Sequence, residues 1–126
     1  MTSDAEIVQG SMLNSIQIYC ADQAYSVLRE RVSPDVEEFW ALALGPAKAL
    51  LGCRMIFRGT VDYCLVHPRE LFRFALIHNA SSLIIAHNHP SGDPTPSAED
   101  LSLTRSLLRS ARLMEIPIND HLILGK

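Results

Sequence analysis

Two histidines, a serine and an aspartate lie close together in the stretch HNHPSGDPTPSAED, which runs from His87 to Asp100. The apolar run SSLIIA precedes it and predicts a buried strand that ends near the histidines. Because side chains alternate along a strand, His87 and His89 are expected on one side of it. Two imidazole nitrogens and a nearby carboxylate are ligands that metal ions take in proteins. The stretch therefore predicts a metal site.

The same residues also have structural interpretations. Ser97 and Asp100 match a capping box, in which the serine oxygen accepts a backbone N–H and the acid reaches back to the N-cap. The prolines and Gly92 are ordinary loop residues. The combination favours chemistry, because His87, His89 and Asp100 make a set of three ligands. Catalytic zinc commonly takes three protein ligands and leaves a fourth position for water, whereas structural zinc normally takes four.

Strands that alternate with helices are expected to position these residues. The strands are predicted at residues 15–19, 39–45, 49–59, 65–66, 82–89 and 121–125, with 39–45 and 49–59 antiparallel neighbours. Helices are predicted at residues 22–31, 68–79 and 97–114. In the last helix, the face expected to point inward consists of Leu101, Thr104, Leu108 and Ala111. Another face carries Arg105, Arg109 and Arg112. The fold class is α/β (α+β), a mixed β-sheet flanked by helices.

Composition bounds the function classes. The 126 residues are 48% hydrophobic and 20% charged, which is typical of one globular domain. A net charge of −3 argues against non-specific DNA binding. Cys20, Cys53 and Cys64 form no CxxC pattern, which argues against a disulfide framework and favours the reducing cytoplasm. No apolar run approaches the roughly 18 residues that span a bilayer, and the N-terminus has no secretion signal pattern, so no membrane association is expected.

The spacing H-x-H-x7-S-x-x-D resembles the JAMM motif of the JAB/MPN metalloprotease family. The wider text, HPRELFRFALIHNASSLIIAHNHPSGDPTPSAEDLSLTRSLL and then NDHLILG, is similar to the RadC-type branch of that family, the bacterial DNA repair protein RadC group. The resemblance runs over about residues 15–125 and implies a JAB/MPN (cytidine-deaminase-like) architecture. Family members often carry an N-terminal helix-hairpin-helix region and a short C-terminal tail. We therefore expect residues 1–126 to form a single domain that is a fragment of a longer protein.

The resemblance implies one Zn²⁺ per chain, held by His87, His89 and Asp100 with a water molecule. Relatives use a glutamate at the start of a core strand as general base. The RadC pattern of a glutamate, any residue and a phenylalanine falls on Glu37, which is the expected base. Glu38 is the alternative, because spacing alone does not choose between neighbours that point to opposite faces.

The resemblance gives Ser97 a catalytic role, hydrogen bonding to the tetrahedral intermediate of amide hydrolysis. Asp120 and His121 match the family's DH motif and are expected to orient a ligand from outside the ligand set. The expected function is a zinc metallopeptidase or isopeptidase acting on a peptide or protein substrate. The alternative is a DNA-repair-associated or protein-interaction module with a structural or vestigial metal site. The acidic net charge makes DNA binding by this domain alone unexpected.

Overall fold

The structure is a computed structural model that describes residues 16–59 and 66–125. Helices and strands alternate along these residues, apart from one pair of consecutive strands. They are α1 (Ala21–Leu28), β1 (Glu38–Leu44), β2 (Leu50–Arg58), α2 (Pro68–Ile77), β3 (Ser82–Asn88), α3 (Ala98–Met114) and β4 (Ile118–Leu124). A short 3-10 helix, Pro46–Lys48, connects β1 to β2.

The described strands form one mixed sheet in the order β2-β1-β3-β4. β1 is antiparallel to both β2 and β3, whereas β3 and β4 are parallel. The parallel pair needs a long crossover connection, and α3 provides it. This mixed sheet with helices confirms the expected α+β class, and the antiparallel pairing of residues 39–45 with 49–59 is also confirmed.

Helices cover both faces of the sheet, so every residue of β1 and β3 is buried. Odd-numbered residues of β1 belong to a core cluster that includes residues of α2 and α3; they are Phe39, Ala41 and Ala43. Even-numbered residues belong to a second cluster with residues of α1; they are Trp40, Leu42 and Leu44. The two faces of β1 therefore belong to separate hydrophobic cores.

Several predicted boundaries and one predicted helix face differ from the structure. In the predicted strand 15–19, Gln17 makes a single bridge to Ala49, and residue 15 lies outside the described residues. In the predicted strand 65–66, Val66 is buried but is not in a strand, and residue 65 lies outside the described residues. The inward positions of α3 were predicted wrongly for two leucines, because the stripe that packs on the sheet includes Leu107 and Ala111. Leu101 and Leu108 are exposed.

Among residues 16–59 and 66–125, none of the helices has the length and apolar character that a bilayer span requires.

Candidate metal centre

The register between β1 and β3 brings two of the predicted site segments together. Phe39 pairs with His87 across the antiparallel strands. Continuing this register by two residues places Glu37 opposite His89, and the period of two puts both pairs on the same face. The Phe39 ring lies parallel to the His87 ring, with centroids 6.1 Å apart. The sheet therefore aligns Glu37 with the two histidines.

The loop after β3 is held close to the end of β4. His89 donates its backbone N–H to Leu124, and Gly92 donates its own to His89, both over 2.9 Å. Gly92 has φ of 91°, a left-handed conformation that favours glycine. A Cβ atom on Gly125 would lie 2.7 Å from the Gly92 carbonyl oxygen, so glycine is needed at this close approach. These contacts set where the chain returns to α3.

The first turn of α3 presents the carboxylate of Asp100. Ser97 is the N-cap, and its hydroxyl oxygen accepts the Asp100 backbone N–H over 3.0 Å. The Asp100 Oδ2 atom accepts the Ser97 backbone N–H over 2.8 Å, which completes a capping box. The cap therefore fixes the orientation of the carboxylate toward the histidines.

Three potential ligand side chains converge at this point. The Nε2 atoms of His87 and His89 lie 3.1 Å apart. Asp100 Oδ1 lies 3.1 Å from His87 Nε2, and Asp100 Oδ2 lies 3.0 Å from His89 Nε2. A carboxylate oxygen of Glu37 completes a group whose ligand atoms all lie within 4.8 Å of one another. This cluster of Glu37, His87, His89 and Asp100 could hold a metal ion.

Hydrogen bonds behind His87 assign the proton on its ring. Thr104 donates its hydroxyl proton to the Asp100 carbonyl over 2.8 Å, so its oxygen accepts from His121 Nδ1, 2.6 Å away. His121 Nε2 is then an acceptor, and it lies 2.9 Å from His87 Nδ1. The His87 proton therefore sits on Nδ1, and its Nε2 presents a lone pair to Asp100.

His89 has the same arrangement with a different partner. Its Nδ1 donates to the backbone carbonyl of Asp93 over 2.8 Å, so in the neutral ring Nε2 is the acceptor. His87 Nε2, His89 Nε2 and the Asp100 carboxylate are thus all acceptors, at separations of 3.0–3.1 Å. Acceptors this close repel one another unless a cation lies between them. The donor set is therefore suited to a metal ion, with the outer nitrogens hydrogen bonded as metal-binding histidines usually are.

The separations also suit zinc. Ligand atoms at about 2.0–2.1 Å from a tetrahedral zinc lie roughly 3.3 Å from one another. The observed separations of 3.0–3.1 Å are close to this value. Two nitrogens and one carboxylate are also ligands that zinc accepts in sites with an open fourth position.

Burial and neighbouring charges keep the ligands in the protonation states that metal binding needs. Burial lowers the pKa of His87, and the raising effect of Asp100 does not overcome it. Burial and, to a smaller extent, the nearby His87 lower the pKa of His121 to about 4, against a raising effect of Asp100. Burial opposes ionisation of Asp100, but hydrogen bonds with Ser97, together with the electrostatic effect of His87 and His89, outweigh it and lower the pKa of Asp100. His87 and His121 are therefore neutral at pH 7, and Asp100 is ionised.

Glu37 and Glu38 point to different surroundings. The Glu38 carboxylate accepts from the Trp40 indole over 3.0 Å and from the Arg58 guanidinium over 2.8 and 3.0 Å. It also accepts the backbone N–H of Ser33 over 2.9 Å. Glu38 is thus held in a structural ion pair, and the metal-binding cluster contains Glu37.

The other predicted site residues occupy distinct places. The Ser97 hydroxyl caps α3 beside Asp100, and His121 lies behind His87. Asp120 is exposed, and its carboxylate accepts the backbone N–H of His121 over 2.9 Å. The ring of His121 therefore contacts the cluster, whereas the carboxylate of Asp120 contacts the backbone of His121.

Two supporting residues were not identified from the sequence. Thr104 was expected to face inward, but its link to His121 depends on contacts between α3 and β4. Asn88 accepts the Glu38 backbone N–H over 2.7 Å and donates to the carbonyls of Ser33 and Val36. The position of Asn88 between the two histidines could have indicated its role, because side chains alternate along a strand and Asn88 must point to the face opposite the histidines.

Comparison with known proteins identifies the class of domain. A mixed sheet that carries a His, His and Asp cluster with a neighbouring glutamate fits a JAMM-type metal site. The family model described as a RadC-like JAB domain matches residues 18–126. The chain therefore belongs to the RadC-like JAB domain family.

Curated relatives carry the description UPF0758 protein. One from Thermosynechococcus vestitus is 55% identical over 89 residues, which are 71% of this chain and 36% of the relative. One from Protochlamydia amoebophila is 43% identical over 107 residues, 84% of this chain and 46% of the relative. One from Desulforamulus reducens is 41% identical over 109 residues, 86% of this chain and 48% of the relative. The chain spans less than half the length of these relatives.

Proposed function

We propose that this chain is a zinc-dependent metallohydrolase, a peptidase or isopeptidase that hydrolyses amide bonds in a cytoplasmic peptide or protein. The observation that supports it best is the convergence of three acceptors, His87 Nε2, His89 Nε2 and the Asp100 carboxylate, beside a buried glutamate. A structural zinc site would more often have four protein ligands. A three-ligand site next to Glu37 favours catalysis.

Zinc held by His87, His89 and Asp100 would lower the pKa of a water molecule towards ~7 and polarise the substrate carbonyl. Glu37 accepts a proton from the attacking water and delivers it to the leaving amine, so that water is added across the amide bond. The Ser97 hydroxyl oxygen already accepts the Asp100 N–H, which leaves its own proton to donate to the oxyanion that develops on the substrate. His89, with 16% of its side chain exposed against 1% for His87, is the ligand that substrate approaches.

Metal content and a cleavage screen test this proposal together. Protein purified without added metal is analysed for bound elements, then incubated with a peptide library whose products are read by mass spectrometry. We expect about one zinc per chain and cleavage that is lost on chelation and restored by zinc. A metal-loaded protein that cleaves no peptide or isopeptide would contradict the enzymatic proposal.

A second candidate function is a protein-interaction or DNA-repair-associated module. An apolar groove of about 770 Å³ lies between α2 and α3, and its exposed lining includes Leu76, Ile77, Leu113 and Met114. Contiguous apolar surface of this kind often contacts other proteins. Met114 lies 14 residues after Asp100, which is about 21 Å along the helix axis, so this groove is remote from the metal cluster.

A measurement of duplex DNA binding distinguishes a protein-interaction module from a DNA-repair-associated one. The net charge of −3 favours weak binding that disappears at physiological salt. A sub-micromolar dissociation constant, abolished when the exposed Arg105, Arg109 and Arg112 are replaced, would instead support a role on DNA.

A further inference from the structure

A small pocket adjoins the candidate metal site at His89. It has a volume of about 200 Å³ and lies between the end of α1, the segment that follows α1, and the ends of β3 and β4. His89 lines it, together with Tyr25, Arg29, Val32 and Asn88. This volume is below the roughly 300 Å³ at which pockets begin to hold whole small-molecule ligands. The pocket therefore suits one side chain or one chain end of a longer substrate.

The chemistry of the pocket is set by one arginine. The Arg29 guanidinium carbon lies 5.9 Å from the centre of the Tyr25 ring, and both residues are exposed. Within the described part of the chain, Arg29 has no carboxylate partner, and the pocket lining contains no acidic residue. Val32 and Leu124 add apolar surface. The pocket therefore offers a positive charge beside apolar walls.

The neighbouring arginines Arg31 and Arg58 are engaged with other groups. Arg31 turns back on α1 and donates to the carbonyl of Val27. Arg58 is paired with the buried Glu38. Among the described residues, Arg29 is thus the arginine of this region that remains available to a ligand carboxylate, which a guanidinium can bind through two parallel hydrogen bonds.

We propose that this pocket binds a carboxylate of the peptide substrate and that Arg29 is the specificity-determining residue. The carboxylate belongs to an aspartate or glutamate side chain, or to the C-terminus of the peptide, and the apolar walls contact its carbon stem. His89 belongs to both the pocket lining and the candidate metal site, so the two sites adjoin at this residue. The role in cleavage rests on the proposed peptidase function, whereas the binding does not.

A binding experiment on the whole chain tests the pocket without any need for cleavage. Three alanine-based peptides are titrated into the isotope-labelled, zinc-loaded protein: one with blocked ends and a central glutamate, one with glutamine there, and the glutamine peptide with a free C-terminal carboxylate. Backbone amide signals of Tyr25, Arg29 and Asn88 report the site. We expect at least one carboxylate peptide to bind about tenfold more tightly than the blocked glutamine peptide, as a charge-assisted pair allows. Which of the two does so identifies the source of the carboxylate.

Two variants decide whether Arg29 is responsible. Arg29→Gln should remove the preference for the carboxylate peptide. Arg31→Gln, which alters an arginine two residues further along the chain, should keep it. Equal affinity for all three peptides, or a preference that survives Arg29→Gln, overturns the inference.

Cleavage kinetics then separate this inference from the proposed function. With a peptide substrate in hand, Arg29→Gln should raise KM for acidic substrates about tenfold, change kcat little, and leave zinc content unchanged. Carboxylate binding without any cleavage contradicts the peptidase proposal and leaves the pocket assignment intact. If KM and kcat depend neither on the charge of the substrate nor on Arg29, the pocket assignment is overturned and the peptidase proposal stays intact.

Discussion

His121 Nε2 lies 2.9 Å from Nδ1 of His87, the ring nitrogen that does not face Asp100. His121 is in turn fixed by Thr104, whose hydroxyl lies 2.6 Å from its Nδ1. This chain of contacts holds the His87 proton on Nδ1 and leaves Nε2 free to bind a metal. His121 is therefore a positioning residue for His87.

Replacing His121 should weaken zinc binding without removing a ligand. We expect His121→Ala to lower zinc affinity by about 10- to 100-fold, because the acceptor that orients His87 is lost. His121→Gln should recover part of this loss, since its side-chain oxygen can accept from His87 Nδ1. Competition with a chromophoric chelator measures both affinities, and circular dichroism checks that the variants are folded.

Asp120→Asn is the matched control for His121. The Asp120 carboxylate is exposed and contacts the next backbone N–H, so the variant should bind zinc like the parent protein. If Asp120→Asn reduced zinc affinity as much as His121→Ala, the effect would come from β4 as a whole rather than from the His121 ring.

Zinc should stabilise the folded protein through the three converging acceptors. Free zinc at 100 times its dissociation constant should add about 2.7 kcal/mol to the free energy of unfolding, and a chelator should remove it. His89→Ala should remain folded but lose this increment, because Asp100 and His87 alone make an incomplete set. Thermal denaturation with and without zinc gives the measurement. A double variant of His87 and His89 that still gains the full increment would place the metal elsewhere.

The sequence indicated His87, His89 and Asp100 as candidate metal ligands because they lie in one short stretch. His87 and His89 are on one strand, and the capping pattern of Ser97 and Asp100 marks where the helix begins. Local rules of strand period and helix capping are sufficient to predict that these residues approach one another. The same rules predict the strands and helices that carry them.

The choice between Glu37 and Glu38 needed information from another strand. A shift of one residue in register exchanges the two faces of a strand, and the local sequence does not determine the register. The pairing of Phe39 with His87 determines it here. For the same reason the contact between Thr104 and His121 was not predictable, because it depends on how β4 pairs with β3.

The inward face of α3 was ambiguous from the sequence. Leucines occur on more than one stripe of this helix, and both Leu108 and Leu107 fit an apolar spacing of three and four residues. Packing against the sheet selects the stripe with Leu107 and leaves Leu108 exposed. Periodicity thus predicted the helix but not its rotation.

His78 should make stability depend on pH. Burial lowers its pKa in the folded protein, and Arg54 lowers it further, so the unfolded chain takes up a proton first as pH falls below about 6.5. The folded state is therefore destabilised as pH falls through the unfolded value toward the lower folded pKa. Because glutamine does not titrate, His78→Gln should lose less stability than the parent between about pH 7.5 and pH 5.5. Urea denaturation at several pH values measures the difference, and parallel curves would contradict it.

Glu37→Gln should separate proton transfer from metal binding. The variant keeps the three ligands His87, His89 and Asp100, so we expect full zinc content. Hydrolysis of a peptide substrate should fall on the order of 10²-fold or more, because glutamine cannot accept the proton of the attacking water. Rates are compared at equal zinc occupancy.

Glu38→Gln is the matched variant on the adjacent residue, and its expected effect is on stability. The Glu38 carboxylate is almost fully buried and accepts from Trp40, Ser33 and the half-exposed Arg58, so the loss of charge should cost about 1–3 kcal/mol in the free energy of unfolding. The rate per folded, zinc-loaded molecule should stay near that of the parent, because this carboxylate lies outside the metal-binding cluster. A large rate loss in Glu38→Gln at full zinc occupancy, with normal activity in Glu37→Gln, would show that Glu38 rather than Glu37 is the general base. Full activity in both variants would mean that neither glutamate transfers the proton, and the water would then have to be activated without a carboxylate from β1.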